Sequence, residues 1–294
     1  MNYVIEPNLS KSKAYDTSIG VIRILQKLNA CIRMNSIYRE SFSDMQITFL
    51  EKDSLYENAD FVIAVGGDGT ILRSAGAVLD YAVSKQTAPV KIVGINTGTL
   101  GFLAAFEANE LEMLALLDQG KYRVSERILL ETEIPESARE CVTLYALNDI
   151  YASRLNGRIC DFAVSVDGHQ IGVYRADGII FSTPTGSSAY ALSAGGPVIE
   201  PDLSLIEMNL ICPHSLFARP MLFSPQRSIS VTCHGVDDED GLRVNADGVE
   251  VAILHNKQSF TVHVPQLRMP FADLKGYAFY DALNGKLMRP LKGF

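Results

Sequence analysis

The sequence predicts a Rossmann-like N-terminal α/β domain followed by an antiparallel β-rich C-terminal domain. Three observations carry that expectation. The run Phe61-Val62-Ile63-Ala64-Val65 is continuously apolar, as suits a strand covered on both faces. Such runs alternate with helix-period segments over the first third of the chain, the pattern of a parallel sheet with crossover helices. After Gly120 the pattern shortens to alternating segments. Asp167-Gly168 and Asp247-Gly248 each separate two of these, and Asp-Gly supplies the positive φ angles of a tight hairpin.

In the first domain, residues 1–122, strands are expected over 3–6, 61–65 and 90–96, and helices over 12–29 and 70–84. Val21, Ile24, Leu25 and Leu28 fall at i, i+3, i+4 and i+7, one face of the earlier helix. A third helix is expected over 109–118, capped by Asn109 and stopped by Gly120. In the second domain, residues 123–267, strands are expected over 141–153, 161–166, 178–182, 228–232, 242–245, 249–254 and 260–264. The tail, 268–294, is expected to pack back on the first domain.

Charge and composition then exclude several functions. Lys and Arg number 26 against 34 Asp and Glu, a net charge of −8, so nothing draws the chain to nucleic acid or anionic lipid in general. No window reaches the roughly 18 to 20 consecutive apolar residues of a membrane span. Residues 1–7, with Glu6 among them, lack the basic and apolar regions of a secretion signal. The expectation is a cytoplasmic protein that binds neither nucleic acid nor membrane. Cys31, Cys141, Cys160, Cys212 and Cys233 are scattered and never spaced as CxxC, and the five histidines form no HExxH. Reduced thiols and no fixed protein metal site are therefore expected.

The chemistry concentrates in two places. Gly66-Gly67-Asp68-Gly69-Thr70 lies where a buried strand turns into a helix, and there helix amides favour anions while glycines let a phosphate approach. The loop is neither GxxxxGK[ST] nor GxGxxG. Two like charges ~4 Å apart cost roughly 4 kcal/mol at an effective dielectric of 20, so a carboxylate beside phosphates needs a metal ion or a proton to accept. The other reading is a tight turn in which Asp68 caps the helix. The second place is 177–197, where a strand enters a stretch holding Ser182, Thr183, Thr185, Ser187, Ser188, Tyr190 and Ser193. Compact hydroxyls beside one aromatic face suit a nucleoside, and a Ser/Thr-rich surface loop is the alternative.

In these motifs the sequence resembles the NAD kinase family. Gly66-Gly67-Asp68-Gly69-Thr70, Asn96-Thr97-Gly98-Thr99-Leu100-Gly101-Phe102-Leu103, Asn148-Asp149, Arg175-Ala176-Asp177-Gly178, 182–190 and Cys212-Pro213-His214-Ser215 occur in that family's order and spacing. The likeness spans roughly residues 60 to 285. Departures are Asp149 where Glu is usual, Ser188 for Thr, Ala176 for Gly, and Val249 for Gln after Asp247-Gly248. Asp149 and Val249 touch substrate contacts more than catalysis.

The resemblance implies ATP-dependent phosphorylation of the 2′-hydroxyl of the adenosine ribose of NAD, giving NADP, with Mg²⁺ or another divalent ion accompanying ATP. It implies Asp68 as the base, and Gly66, Gly67, Gly69 and Thr70 as the donor-phosphate loop. Asn148 and Asp149 would hold the ribose, and 183–190 would line the dinucleotide pocket. The implied NAD site comprises Asp68, Gly69, Arg73, Asn148, Asp149, Arg158, Arg175, Asp177, Thr185, Ser188, Ala189, Tyr190, Ala191, Leu192 and Ser193. For Arg73 and Arg158 the alternative is a solvated surface charge, and His214 reads as structural or as a subunit contact. A homodimer or homotetramer is also implied. A lipid or sphingoid kinase would share the glycine-aspartate loop but should show a basic or apolar membrane face. A non-catalytic NAD-binding regulator would keep the pocket without turnover.

Overall fold

The computed structural model describes residues 1–98, 101–135, 141–154, 159–236 and 241–288. The chain divides into two units, residues 1–126 with 269–294, and residues 127–268.

The first unit is built on a largely parallel sheet. Its elements in chain order are β1 (Asn2–Pro7), α1 (Ala14–Lys27), β2 (Cys31–Asn35), β3 (Thr48–Leu50), α2 (Lys52–Leu55), β4 (Phe61–Gly66) and α3 (Asp68–Lys85). They continue with β5 (Lys91–Asn96), β6 (Phe106–Glu107), α4 (Leu114–Asp118), β7 (Arg123–Ile128) and, late in the chain, β20 (Arg268–Asp273). The strand order is β3-β2-β1-β4-β5-β20-β7, with β6 on β5. Every residue of β4 is buried, which its unbroken apolar run requires. Val21, Ile22 and Leu25 of α1 pack with Tyr3, Ile5, Ile63 and Val93 into one core. The chain moves left from β1 to β2 and returns to the right at β4, so the topology switches between β1 and β4. Ligands of open α/β sheets bind beyond the carboxyl ends of strands at such a point.

The second unit holds two antiparallel sheets. Its strands are β8 (Leu130–Pro135), β9 (Cys141–Ala146), β10 (Asp149–Ser153), β11 (Cys160–Val166), β12 (His169–Ala176) and β13 (Gly178–Ser182). After the short helix α5 (Tyr190–Ser193) come β14 (Ile206–Ile211), β15 (Met221–Phe223), β16 (Ile229–His234), β17 (Leu242–Ala246), β18 (Val249–Leu254) and β19 (Ser259–His263). One sheet runs β15-β14-β13-β10-β17-β18, the other β12-β11-β16-β19-β8-β9, and their inner faces share a core containing Phe162, Phe181 and Phe260. Both Asp-Gly pairs make the expected hairpins, with φ of 49° and 80° at Asp167-Gly168 and 49° and 79° at Asp247-Gly248. A short helix, α6 (Ala278–Leu283), and a helical turn over Asn284–Met288 close the described chain. No helix among the described residues is long and apolar enough to cross a membrane.

Two expectations need correction. The strand expected over 141–153 is two strands in different sheets. It breaks because the Asp247 carboxylate accepts the backbone N–H groups of Leu147 (2.8 Å), Asn148 (2.7 Å) and Asp149 (3.2 Å), which a continuous ladder would otherwise engage. The helix expected from Asn109 begins only with a 3₁₀ turn at Leu111–Met113, and Asn109 does not cap it. Glu110 instead accepts the Glu107 N–H at 2.9 Å and the Lys275 ammonium at 2.6 Å, folding the chain before the helix starts. Gly120, at φ 67°, lies just beyond α4 in the left-handed conformation that ends helices.

Candidate functional site

In the first unit β4 delivers Gly66 and Gly67 to the head of α3. A Cβ on Gly66 would lie 2.3 Å from Thr70 Oγ1, so only glycine lets the turn close. Thr70 is fixed in turn, its N–H donating to the Gly67 carbonyl at 2.8 Å and its hydroxyl accepting from Asn8 Nδ2 at 3.0 Å. Asp68 is the first residue of α3, yet its carboxylate is turned to a distant segment. Oδ2 accepts the Phe102 N–H at 2.9 Å and Oδ1 the Leu103 N–H at 3.1 Å. Gly101 allows this approach, because a Cβ there would lie 2.0 Å from Asp68 Oδ1. Lys286 Nζ stands 3.4 Å from Oδ2. Within the adjoining motif Thr99 and Leu100 lie outside the described residues.

A cleft of about 600 Å³ opens beside Gly67, lined also by Lys11, Ser12, Lys13, Asn96, Thr97 and Gly98. It lies at the carboxyl ends of β1, β4 and β5, and two lysines give it positive charge. Among the described residues, and apart from chain neighbours and the helix's own backbone, no atom comes within 4 Å of a Cβ built on Gly67, Gly69 or Gly98, so the backbone there is open to a ligand. Lys11 and Lys13 were not legible as site residues, since they sit in an ordinary polar loop far in sequence from the glycines. Arg73 lines a different cavity of about 320 Å³, with Glu6, Asn8, Tyr38, Lys52 and Tyr56. Burial pushes the Glu6 carboxyl up there, opposed by hydrogen bonds from Ser74 and Tyr56 and by the Arg73 charge.

In the second unit the break between β9 and β10 presents Asn148 and Asp149. The segment after β13 is laid directly on it: Thr183 N–H donates to the Asn148 carbonyl at 2.9 Å and Thr183 Oγ1 to the Leu147 carbonyl at 2.6 Å. A Cβ on Gly186 would meet the Asn148 carbonyl oxygen at 2.0 Å, so that position takes only glycine. Ser187 ties the loop to the chain beyond, accepting the Ile199 N–H at 2.9 Å. Thr185 and Ala191 are buried, Ser188, Ala189 and Leu192 partly so, and Ser193 is exposed. The ring of Tyr190, at the start of α5, meets Tyr151 edge to face at 5.1 Å. Hydroxyls, one aromatic wall and a carboxyl are thus gathered around the strand break.

Asp149 is 5% exposed, and burial with the neighbouring Asp247 charge pushes its carboxyl up to about 7. Burial pushes the Asp247 carboxyl up as well, opposed by the hydrogen bonds it accepts from the Leu147, Asn148 and Asp149 N–H groups. Asp177 is placed by its N–H on the Ile211 carbonyl at 3.0 Å. Arg175 is not brought to this group. Its guanidinium makes bidentate bonds to Asp161 across β11 and β12 at 2.8 and 2.9 Å, and holds that carboxyl below the usual range. Arg158 lies outside the described residues. His214 is exposed, and its backbone N–H donates to the Arg175 carbonyl. No group of three or more His, Cys, Asp or Glu among the described residues could hold a metal ion.

Comparison with known proteins agrees with this division of features. A family model described as the ATP-NAD kinase N-terminal domain matches residues 8–120, and one described as the ATP-NAD kinase C-terminal domain matches residues 147–272. An NAD kinase of Symbiobacterium thermophilum is 33% identical over 289 residues, covering 97% of this chain and 98% of the relative. An NAD kinase of Moorella thermoacetica is 34% identical over 286 residues, covering 95% and 87%. Among solved structures, an NAD kinase from Archaeoglobus fulgidus in complex with ATP superposes with a TM-score of 0.74 at 26% identity, covering 97% of this chain and 98% of that one. Yeast NADH kinase complexed with NADH shares the fold, with a TM-score of 0.89 at 21% identity over 100% of this chain and 89% of that one. Matched through both halves by the family's own domains and over nearly its whole length by its members, the chain belongs to the NAD kinase family.

Proposed function

We infer that the protein transfers the γ-phosphoryl group of ATP to the 2′-hydroxyl of the adenosine ribose of NAD. The observation that carries this reading is Asp68, a carboxyl group fixed by two backbone N–H groups beside an open glycine loop and two lysines. The 2′-hydroxyl gives its proton to Asp68, the freed oxygen bonds to the γ-phosphorus, and the bond to the β–γ bridging oxygen breaks with its electron pair on ADP. Lys11, Lys13 and the open amides at Gly67 and Gly69 stabilise the donor's phosphates. Asn148, Asp149 and the loop 183–193 hold the dinucleotide, with Tyr190 offering a ring face.

Mg²⁺ enters as part of the donor complex, held by phosphate oxygens and water as hard cations of its size usually are. Free thiols at Cys31, Cys160, Cys212 and Cys233 support a reducing, cytoplasmic setting. A homo-oligomer is supported by Leu216 and Phe217, 91% and 88% exposed in the segment that leads into the edge strand β15. The test is incubation with NAD, ATP and Mg²⁺, with NADP read by an NADP-specific dehydrogenase. NADP should form, and excess EDTA should abolish it. No NADP would leave the lipid-kinase or silent-regulator reading in place.

A further inference from the structure

We propose that Lys286 is a positioning residue for Asp68, supplied by the C-terminal turn. The proposal rests on the functional reading above and adds to it the means by which an anionic base is kept among anionic substrates.

Lys286 Nζ lies 3.4 Å from Asp68 Oδ2, and both side chains are about one-third exposed, at 30% and 33%. The same ammonium sits 4.6 Å over the ring centroid of Phe102, the residue whose N–H donates to that Oδ2. Phe279, from α6, packs its ring 6.1 Å from the same Phe102. The closing turn is therefore anchored on the segment that holds the carboxylate, and its one cation there is aimed at the carboxylate.

A carboxylate has about four acceptor positions. The Phe102 and Leu103 N–H groups take one on each oxygen, and Lys286 faces another on Oδ2. The two N–H groups orient Asp68 but leave its full negative charge. An uncompensated carboxylate beside donor phosphates is repelled, and an ammonium 3.4 Å from it offsets that repulsion at short range, where screening by salt is least. When the 2′-hydroxyl proton reaches Asp68 its charge disappears, and the ammonium then faces the newly formed phosphate ester.

The experiment is a mutant cycle. Lys286→Met should lower kcat about ten- to hundredfold, the worth of one charge-assisted hydrogen bond, with KM for NAD within about threefold. Lys286→Arg keeps the charge and should restore kcat to within about threefold of wild type. In an Asp68→Asn background there is no charge to offset, so Lys286→Met should change kcat by less than about twofold. Thermal melts check that each variant folds, and Lys286→Gln, which also removes the charge and carries the same expected loss, takes the place of Met if Met does not fold. A wild-type-background loss below about threefold, or the same loss repeated beside Asp68→Asn, overturns the proposal. If the wild-type protein forms no NADP, the functional reading fails instead, so the two failures are distinguishable.

Discussion

Asp149→Asn tests the dinucleotide half of the account. Asp149 is buried on β10, and burial together with Asp247 raises its carboxyl to about 7. A raised pKa means the proton is bound below 7 and the carboxylate appears as pH rises through it. Ionised acceptors make hydrogen bonds roughly twice as strong as neutral ones, so tight ribose binding should appear in the same direction. About one carboxyl in ten is ionised at pH 6 and about nine in ten at pH 8, so KM for NAD should fall up to about ninefold across that interval. Asparagine keeps the shape and cannot ionise. Its KM for NAD should be flat from pH 6 to 8 and, at pH 8, about five- to hundredfold above wild type, for a lost charged bond of ~1 to 3 kcal/mol. KM for ATP should stay within about threefold, because the proposal gives this carboxyl to the dinucleotide and not to the donor. Initial rates with NADP quantified by chromatography avoid any coupling enzyme's own pH response. A variant that keeps the wild-type slope assigns the titration to another group. An ATP KM that moves while the NAD KM does not means the two nucleotides are assigned to the wrong units.

Three further outcomes are expected. Gly101→Ala places a methyl 2.0 Å from Asp68 Oδ1; kcat should fall at least about a hundredfold while calorimetric NAD affinity holds, and a kcat within about threefold of wild type would show that Asp68's placement is immaterial. Gly67→Ala and Gly69→Ala meet no atom of the described residues within 4 Å beyond chain neighbours and the helix's own backbone, so melting temperatures should hold within a few degrees while KM for ATP rises about tenfold or more; an unchanged ATP KM would remove the donor from this loop. Asp247→Ala strips the acceptor from three backbone N–H groups and should cost about 2 to 4 kcal/mol by denaturant titration, together with a raised NAD KM; a cost below about 1 kcal/mol would mean water replaces the carboxylate freely.

What the sequence reveals here is what is local. The fold class follows from runs such as 61–65, whose covering on both faces needs no knowledge of partners, and from Asp-Gly pairs that set their own backbone angles. The glycine-aspartate loop and the hydroxyl-rich stretch are legible because each is contiguous. What escapes is set by distant partners. The break in the strand expected over 141–153 depends on Asp247, about a hundred residues away, and Lys286 reaches Asp68 from 218 residues away. Lys11 and Lys13 become site residues only because β1 lies beside β4 in the sheet. The strand β14 hides because Glu207 and Asn209, both buried within it, interrupt the apolar pattern while Asn209 Nδ2 donates to Glu207 at 2.7 Å.

The central claim is that Asp68 takes the proton as phosphate moves from ATP to NAD, and labelled phosphate follows that step directly. With ATP labelled at the γ position, wild-type protein should place the label on the 2′ oxygen of the dinucleotide. Asp68→Asn, folded and still binding NAD, should do so at least about a hundredfold more slowly. Label that never reaches the dinucleotide, or that reaches it at comparable rates in both proteins, would contradict the account.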